Sequence, residues 1–220
     1  MTAPKTYDVA SDSEAALAAA CAAVAVGEVI VLPTDTVYGV GADAFNADAV
    51  AALLAAKRRG RDMPPPVLVA ETAMVRALAS GVDEAVLALG EAFWPGPLTL
   101  ILAAPPSLHV DLGDRGDTIA VRVPDHDFTR ELLRRTGPLA VSSANVSGQE
   151  AALTASDAAE QLDDAVSVYL DAGPTSGPVP STIVDLSGPT PRLLRAGRLS
   201  VAEINAVVPG LLPDEPDASA

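Results

Sequence analysis

Apolar positions in this chain come in short continuous runs separated by longer alanine- and leucine-rich stretches. Runs at 29–32, 67–70, 98–102, 118–124 and 139–141 are continuous, as in strands covered on both faces, while 166–170 alternates like a half-covered one. Residues 181–186 and 191–195 read as a hairpin-like pair. Helical spacing predicts a first helix over 12–26, capped by Ser11 or Ser13 and closed by Gly27. A second follows from 47 to about 58 behind Asn46, and two more lie near 72–79 and 83–93. Asp125 or Asp127 caps a helix running to 135, where Gly137-Pro138 stops it; Thr154 caps another to 162, and Ser200 caps the last. Strands alternating with helices predict one α/β domain over 1–208. The acidic, proline-bearing segment 209–220 reads as a disordered tail.

Composition alters this picture in three places. Apolar residues make up 49% of the chain but aromatics only 3%, so the core must be aliphatic. One cysteine, Cys21, leaves no internal disulfide or multi-cysteine metal site, and within a helix it reads as a structural thiol. There is no run of eighteen apolar residues and no signal-like N-terminus, which predicts a cytoplasmic protein without a membrane anchor. The net charge of −15 argues against strong direct nucleic-acid binding, which needs a basic face, but leaves room for a local basic pocket.

Candidate chemistry gathers in the loops after the strands. Pro33-Thr34-Asp35-Thr36-Val37-Tyr38-Gly39 places three hydroxyls on alternate residues where open α/β sheets bind ligands, although an ordinary connection has the same outline. Lys57-Arg58-Arg59-Gly60-Arg61 puts four cations in five residues. A solvated helix end accounts for some of them, and a polyanion such as a triphosphate accounts for the excess. Arg122 lies within apolar sequence and must meet either a structural carboxylate or a ligand anion. Ser142-Ser143-Ala144-Asn145-Val146-Ser147-Gly148 offers small donors for a phosphate, or else a simple turn. Arg195 ends a strand as a further anion contact, and 173–180 is a Pro/Gly loop of the kind that folds over a site. Trp94, the single tryptophan, reads as a core anchor, and His126 as a surface residue rather than a base. No Walker, Rossmann, nucleophile-elbow or metal-spaced motif is present, which points to catalysis by positioning and electrostatics.

Taken together these residues resemble the YrdC-like family of threonylcarbamoyl-AMP synthases. Five signatures carry the likeness in the family's order: the 33–39 motif, Lys57-x-Arg59, Trp94-Pro95-Gly96-Pro97-Leu98-Thr99, Ser143-Ala144-Asn145-Val146-Ser147-Gly148, and Ser181-Thr182-Ile183-Val184 with Leu194-Arg195-x-Gly197. The resemblance implies a twisted mixed α/β sheet flanked by helices, with a concave, locally basic cleft. The implied reaction joins L-threonine, bicarbonate and ATP into threonylcarbamoyl-adenylate and pyrophosphate. Magnesium is expected with the ATP and no protein side chain as a metal ligand. Downstream transferase proteins would pass the product to tRNA. By matching position, Thr36, Arg122, Ser181 and the Val141 backbone hold threonine. Arg59, Thr118, Ser143 and Arg195 contact ATP, Asn145 supports its loop, and Lys57 and Arg59 are the catalytic cations.

Three positions depart from the family's pattern. Gly60 stands where many relatives have proline, Met63 precedes Pro64 where they have asparagine, and Leu68 falls where they have histidine. Contacts made by that asparagine and histidine are therefore not carried over. The alternative reading is a same-fold paralogue that binds nucleotide or RNA without making the adenylate.

Overall fold

The computed structural model describes residues 4–114 and 116–210 and the backbone of Leu212 and Pro213. Strands β1 (Lys5–Asp8), β2 (Ile30–Leu32), β3 (Gly39–Asp43), β4 (Val67–Leu68), β5 (Leu98–Ala103), β6 (Thr118–Arg122), β7 (Leu139–Ser143), β8 (Val168–Asp171), β9 (Thr182–Asp185), β10 (Arg192–Arg195) and β11 (Leu212–Pro213) form one mixed sheet. Its order is β1-β8-β2-β3-β7-β4-β6-β5-β9-β10-β11. Between them run α1 (Ser13–Ala25), α2 (Ala47–Ala56), α3 (Val75–Leu78), α4 (Glu84–Phe93), α5 (Asp127–Thr136), α6 (Ala155–Leu162) and α7 (Val201–Val207).

Both faces of the sheet's β8-β2-β3-β7 region are covered, which is why its strands read as unbroken apolar runs. Ile30 and Leu32 of β2 point one way, into a cluster with α1 and α5, while Val29 and Val31 point the other way, into the larger core. Burying side chains of this size stabilises by about 1.5–3 kcal/mol each. Trp94 is buried as expected, and its Nε1 donates to the Leu98 carbonyl at 2.7 Å.

Three strands escape the sequence pattern: β1, β3 and, within the acidic tail, β11. β3 carries no strand signature, because Gly39 and Gly41 are poor strand residues. The glycines are there for close approach: a Cβ would lie 2.6 Å from Val141 Cγ1 at Gly39 and 2.9 Å from Leu32 Cδ2 at Gly41. β1 is a short edge strand with no fully buried residue, so it leaves no apolar signature. The helix caps also shift. At α1 the cap is Asp12, not Ser11 or Ser13, and it makes no side-chain bond; just ahead of it the Asp8 carboxylate accepts from the Ala10 and Ser11 amides. α5 is capped by His126, whose Nδ1 accepts from the Thr129 amide, rather than by Asp125 or Asp127. α2 ends at Ala56, before Arg58, which has φ of 52°. Of the acidic tail, Leu212 and Pro213 pair in parallel with β10, and 211 and 214–220 lie outside the described residues.

Candidate active site

Alternate residues of three neighbouring strands make the floor of a cavity of about 340 Å³, within the roughly 300–1,000 Å³ usual for small-molecule sites. Thr99 and Ile101 come from β5, Thr118, Ala120 and Arg122 from β6, and Ile183 from β9. The register sets Thr99 beside Ile183 and Ile101 beside Ala120. Their sequence neighbours Leu100, Val121 and Val184 are fully buried, on the opposite face. The carboxyl end of β2 supplies one wall, as the sequence suggests, but the cavity spreads across a sheet face rather than sitting at strand ends alone.

One wall is the turn after β2 together with Arg122. Thr34 Oγ1 donates to the Val37 carbonyl (2.6 Å) and accepts from the Thr36 amide (3.1 Å), which fixes the turn. Arg122 is buried, and each of its guanidinium nitrogens has a protein partner. Its Nη2 meets Asp35 Oδ1 at 2.6 Å, its Nη1 donates to Thr36 Oγ1 at 3.1 Å, and its Nε donates to the Gly96 carbonyl at 3.0 Å. Burial pushes its pKa down while Asp35 opposes the shift. The buried arginine has thus found a structural carboxylate and still faces the cavity.

The opposite wall is built from the end of β7 and the segment after α2. Arg59 Nη1 donates to Ser142 Oγ at 2.9 Å, while its buried Nε has no partner. Lys57 is buried behind this wall. Its ammonium donates to the Ser143 carbonyl, to the Asn145 carbonyl (2.7 Å) and weakly to Asn145 Oδ1 (3.5 Å), so its three donors are spent on the loop. Burial, aided by the Arg59 charge, brings its pKa down to about 8. Asn145 Nδ2 in turn donates to the Val146 and Gln149 carbonyls, at 2.9 and 2.8 Å.

Arg195 closes the far side. Its Nε and Nη2 donate to the Ser181 carbonyl (3.1 and 2.8 Å) and its Nη2 also to Ser181 Oγ (3.0 Å), which shares a 2.9 Å bond with Thr99 Oγ1. Burial first, and then the charges of Arg122 and Arg59, push the Arg195 pKa down. Among the described residues, three guanidiniums therefore line one cavity, and the lining includes no Asp or Glu. An anion would relieve both their mutual repulsion and the orphaned Arg59 donor.

Eight of the ten site residues singled out from the sequence line this cavity: Thr36, Arg59, Thr118, Arg122, Val141, Ser143, Ser181 and Arg195. Lys57 and Asn145 stand behind it as supports. The run of four cations divides its labour. Arg59 enters the cavity, Lys57 braces the loop, Arg58 is exposed, and Arg61 turns away to pair with Asp111 at 2.6 Å and Asp114 at 3.5 Å. Ser142, part of the loop expected to offer phosphate donors, and Thr99, part of a signature but given no role of its own, also line the cavity. A threonine inside the leucine run of β5 was the available signal for Thr99. Met63 and Leu68 also line the cavity, as part of an apolar side with Pro64, Pro66 and Leu112. Among the described residues no group of three His, Cys, Asp or Glu is placed to hold a metal ion, and no helix is long and apolar enough to cross a membrane.

Comparison with known proteins bears on this arrangement. The family model described as "Telomere recombination", the Sua5/YciO/YrdC domain, matches residues 22–197. A Mycobacterium leprae protein is 51% identical over 95% of this chain and 96% of its own. The threonylcarbamoyl-AMP synthase of Bacillus subtilis is 37% identical over 91% of this chain but 59% of its own length, so it is the longer protein. The crystal structure of P. abyssi Sua5 complexed with L-threonine superposes with a TM-score of 0.86, at 34% identity, over 90% of this chain and 58% of that one. With five signatures in order, the same mixed sheet and a family match over most of its length, this chain belongs to the Sua5/YciO/YrdC family.

Proposed function

We infer that this chain is a threonylcarbamoyl-AMP synthase, an adenylate-forming transferase that supplies the threonylcarbamoyl group for tRNA modification. The observation that carries the reading is the pairing of two unlike walls in one cavity. One is an internally neutralised turn around Arg122 and Thr36, and the other presents Arg59 with an unsatisfied Nε.

L-Threonine is a zwitterion, and its carboxylate suits Arg122 with the hydroxyls of Thr36 and Ser181 nearby. The amine, as free base, condenses with bicarbonate to a carbamate, with loss of water. A carbamate oxygen then attacks the α-phosphorus of ATP, the bond to the β-phosphate bridging oxygen breaks, and pyrophosphate leaves. Charge builds on the phosphate oxygens during this step. Arg59 and Arg195, with the Ser143 loop and Thr118, are placed to stabilise that charge without reorganising. No side chain in the lining is required as a general base, and Lys57 acts by holding the loop.

Magnesium would enter on the triphosphate, where it neutralises phosphate charge and orients the leaving group. A lining without carboxylates among the described residues fits a metal carried by its substrate better than one held by the protein.

Pyrophosphate release from magnesium-ATP, with L-threonine and bicarbonate each present or omitted, tests the reading. Release that requires both is the expected result. ATP hydrolysis indifferent to threonine, or nucleotide binding without turnover, would replace it with the non-synthetic paralogue.

A further inference from the structure

We propose that Arg198 is a positioning residue for the threonine half of the reaction, latching the segment 173–180 to the turn that holds Arg122. The inference rests on the synthase reading above and on contacts outside the cavity lining.

Arg198 is launched from a fixed base. Gly197 passes so close to the preceding segment that a Cβ there would lie 2.4 Å from Thr182 N. The Arg198 amide donates to the Pro180 carbonyl at 3.1 Å, and Leu199 bonds Thr182 Oγ1 through both its amide (2.9 Å) and its carbonyl (2.8 Å). From this clasp the guanidinium reaches two otherwise separate segments. Nη1 donates to the Asp35 carbonyl and, at 2.8 Å, to Ser176 Oγ.

Each contact lands at a meaningful place. Asp35 is the carboxylate partner of Arg122, and the same Oδ1 also accepts from the Asp125 amide at 3.0 Å. With Arg198 on its carbonyl, Asp35 is held at both backbone and side chain, and so is the guanidinium that faces threonine. Ser176 lies mid-span in 173–180. The start of that segment is tied by Tyr38 Oη donating to the Gly173 carbonyl (2.7 Å) and by the Thr175 amide donating to the Leu153 carbonyl (2.8 Å). Its end, at Pro180, lines the cavity. An exposed guanidinium with such partners adds little to global stability, so its effect is on geometry.

The test pairs kinetics with hydrogen exchange on the full chain. For Arg198→Ala, the KM for L-threonine should rise about tenfold, the loss of about one charge-assisted hydrogen bond. The KM for ATP should stay within about twofold, and amide exchange in 174–179 should quicken about tenfold. Ser176→Ala removes the segment arm alone. It should reproduce the faster exchange with a smaller rise in threonine KM, while Arg198→Lys should restore only part of the threonine KM. An unchanged threonine KM in Arg198→Ala, an equal rise in both KM values, or unaltered exchange in 174–179 would each overturn the inference. If the unmodified protein shows no threonine-dependent turnover, it is the synthase reading that fails, and the exchange measurement still decides whether the latch exists.

Discussion

The two walls of the cavity handle positive charge in opposite ways. Around Arg122 the charge is balanced: Asp35 sits 2.6 Å away and all three kinds of guanidinium nitrogen have protein partners. Around Arg59 the balance is weaker: Asp62 opposes the effect of burial only through space, Nε is buried without a partner, and the neighbouring cation, Lys57, is met by carbonyls rather than by a carboxylate. A wall that is already neutral can take a zwitterion without a large net charge change. One with excess positive charge is suited to a polyanion and is under strain until it arrives. On the proposed function, the fold would separate an amino-acid side from a phosphate side within a chain of net charge −15.

Removing Arg59 should break the contrast most severely. Arg59→Met is expected to lower kcat/KM for ATP by about 10²–10³, as for loss of a transition-state donor, and to leave the threonine KM within about threefold. Comparable losses for both substrates in steady-state kinetics would show that the walls do not divide the work. Arg122→Lys keeps the charge but loses the fork that joins Asp35, Thr36 and Gly96. Its threonine KM should rise by about tenfold or more while ATP affinity by titration changes little.

A third test addresses the shared boundary. Gly39→Ala places a Cβ against Val141 and should destabilise the fold by about 1–3 kcal/mol in chemical denaturation. Val141→Ala in the same chain should recover much of that loss, whereas additive losses would mean that the Gly39 constraint lies elsewhere.

The smallest effect should be on pH dependence. Lys57 has a folded pKa of about 8 against an ordinary 10.5, so above pH 8 it loses one of the donors bracing the Ser143 loop. kcat/KM for ATP should fall several-fold, on the order of 3–10, between about pH 7.5 and 9. Stability moves the other way. Between pH 8 and 10.5 the unfolded lysine binds more protons than the folded one, so the contribution of Lys57 to stability rises with pH and is lost as pH falls through about 8. A parallel fall in melting temperature would point to a group other than Lys57.

Most of the fold was legible because the central strands are apolar on both faces and the helices carry clear caps such as Asn46, Thr154 and Ser200. β3 was hidden because its glycines answer a packing demand set by Val141 and Leu32, far away in sequence or on a neighbouring strand. The site was legible to the level of residue type and loop. What sequence could not separate was the fate of adjacent cations: Lys57, Arg59 and Arg61 differ by two positions each yet end respectively beneath a loop, in the cavity and on a surface ion pair. Asp35 illustrates the same limit, since its partner lies 87 residues away.

The strand order carries a consequence for how the protein is made. β8 inserts between β1 and β2, β7 between β3 and β4, and β9 lines up with β5, so nearly every early strand waits for a late one. A nascent chain that has emerged only through β6 holds Thr36, Arg59 and Arg122 but neither Ser143 nor Ser181 nor Arg195. Its β2 and β3 would present unpaired edges, and the anion-attracting cavity would have one wall missing. The complete cavity is therefore a property of the completed polypeptide, and long-range strand pairing of this kind makes acquisition of the native state slow relative to a helical bundle of equal size.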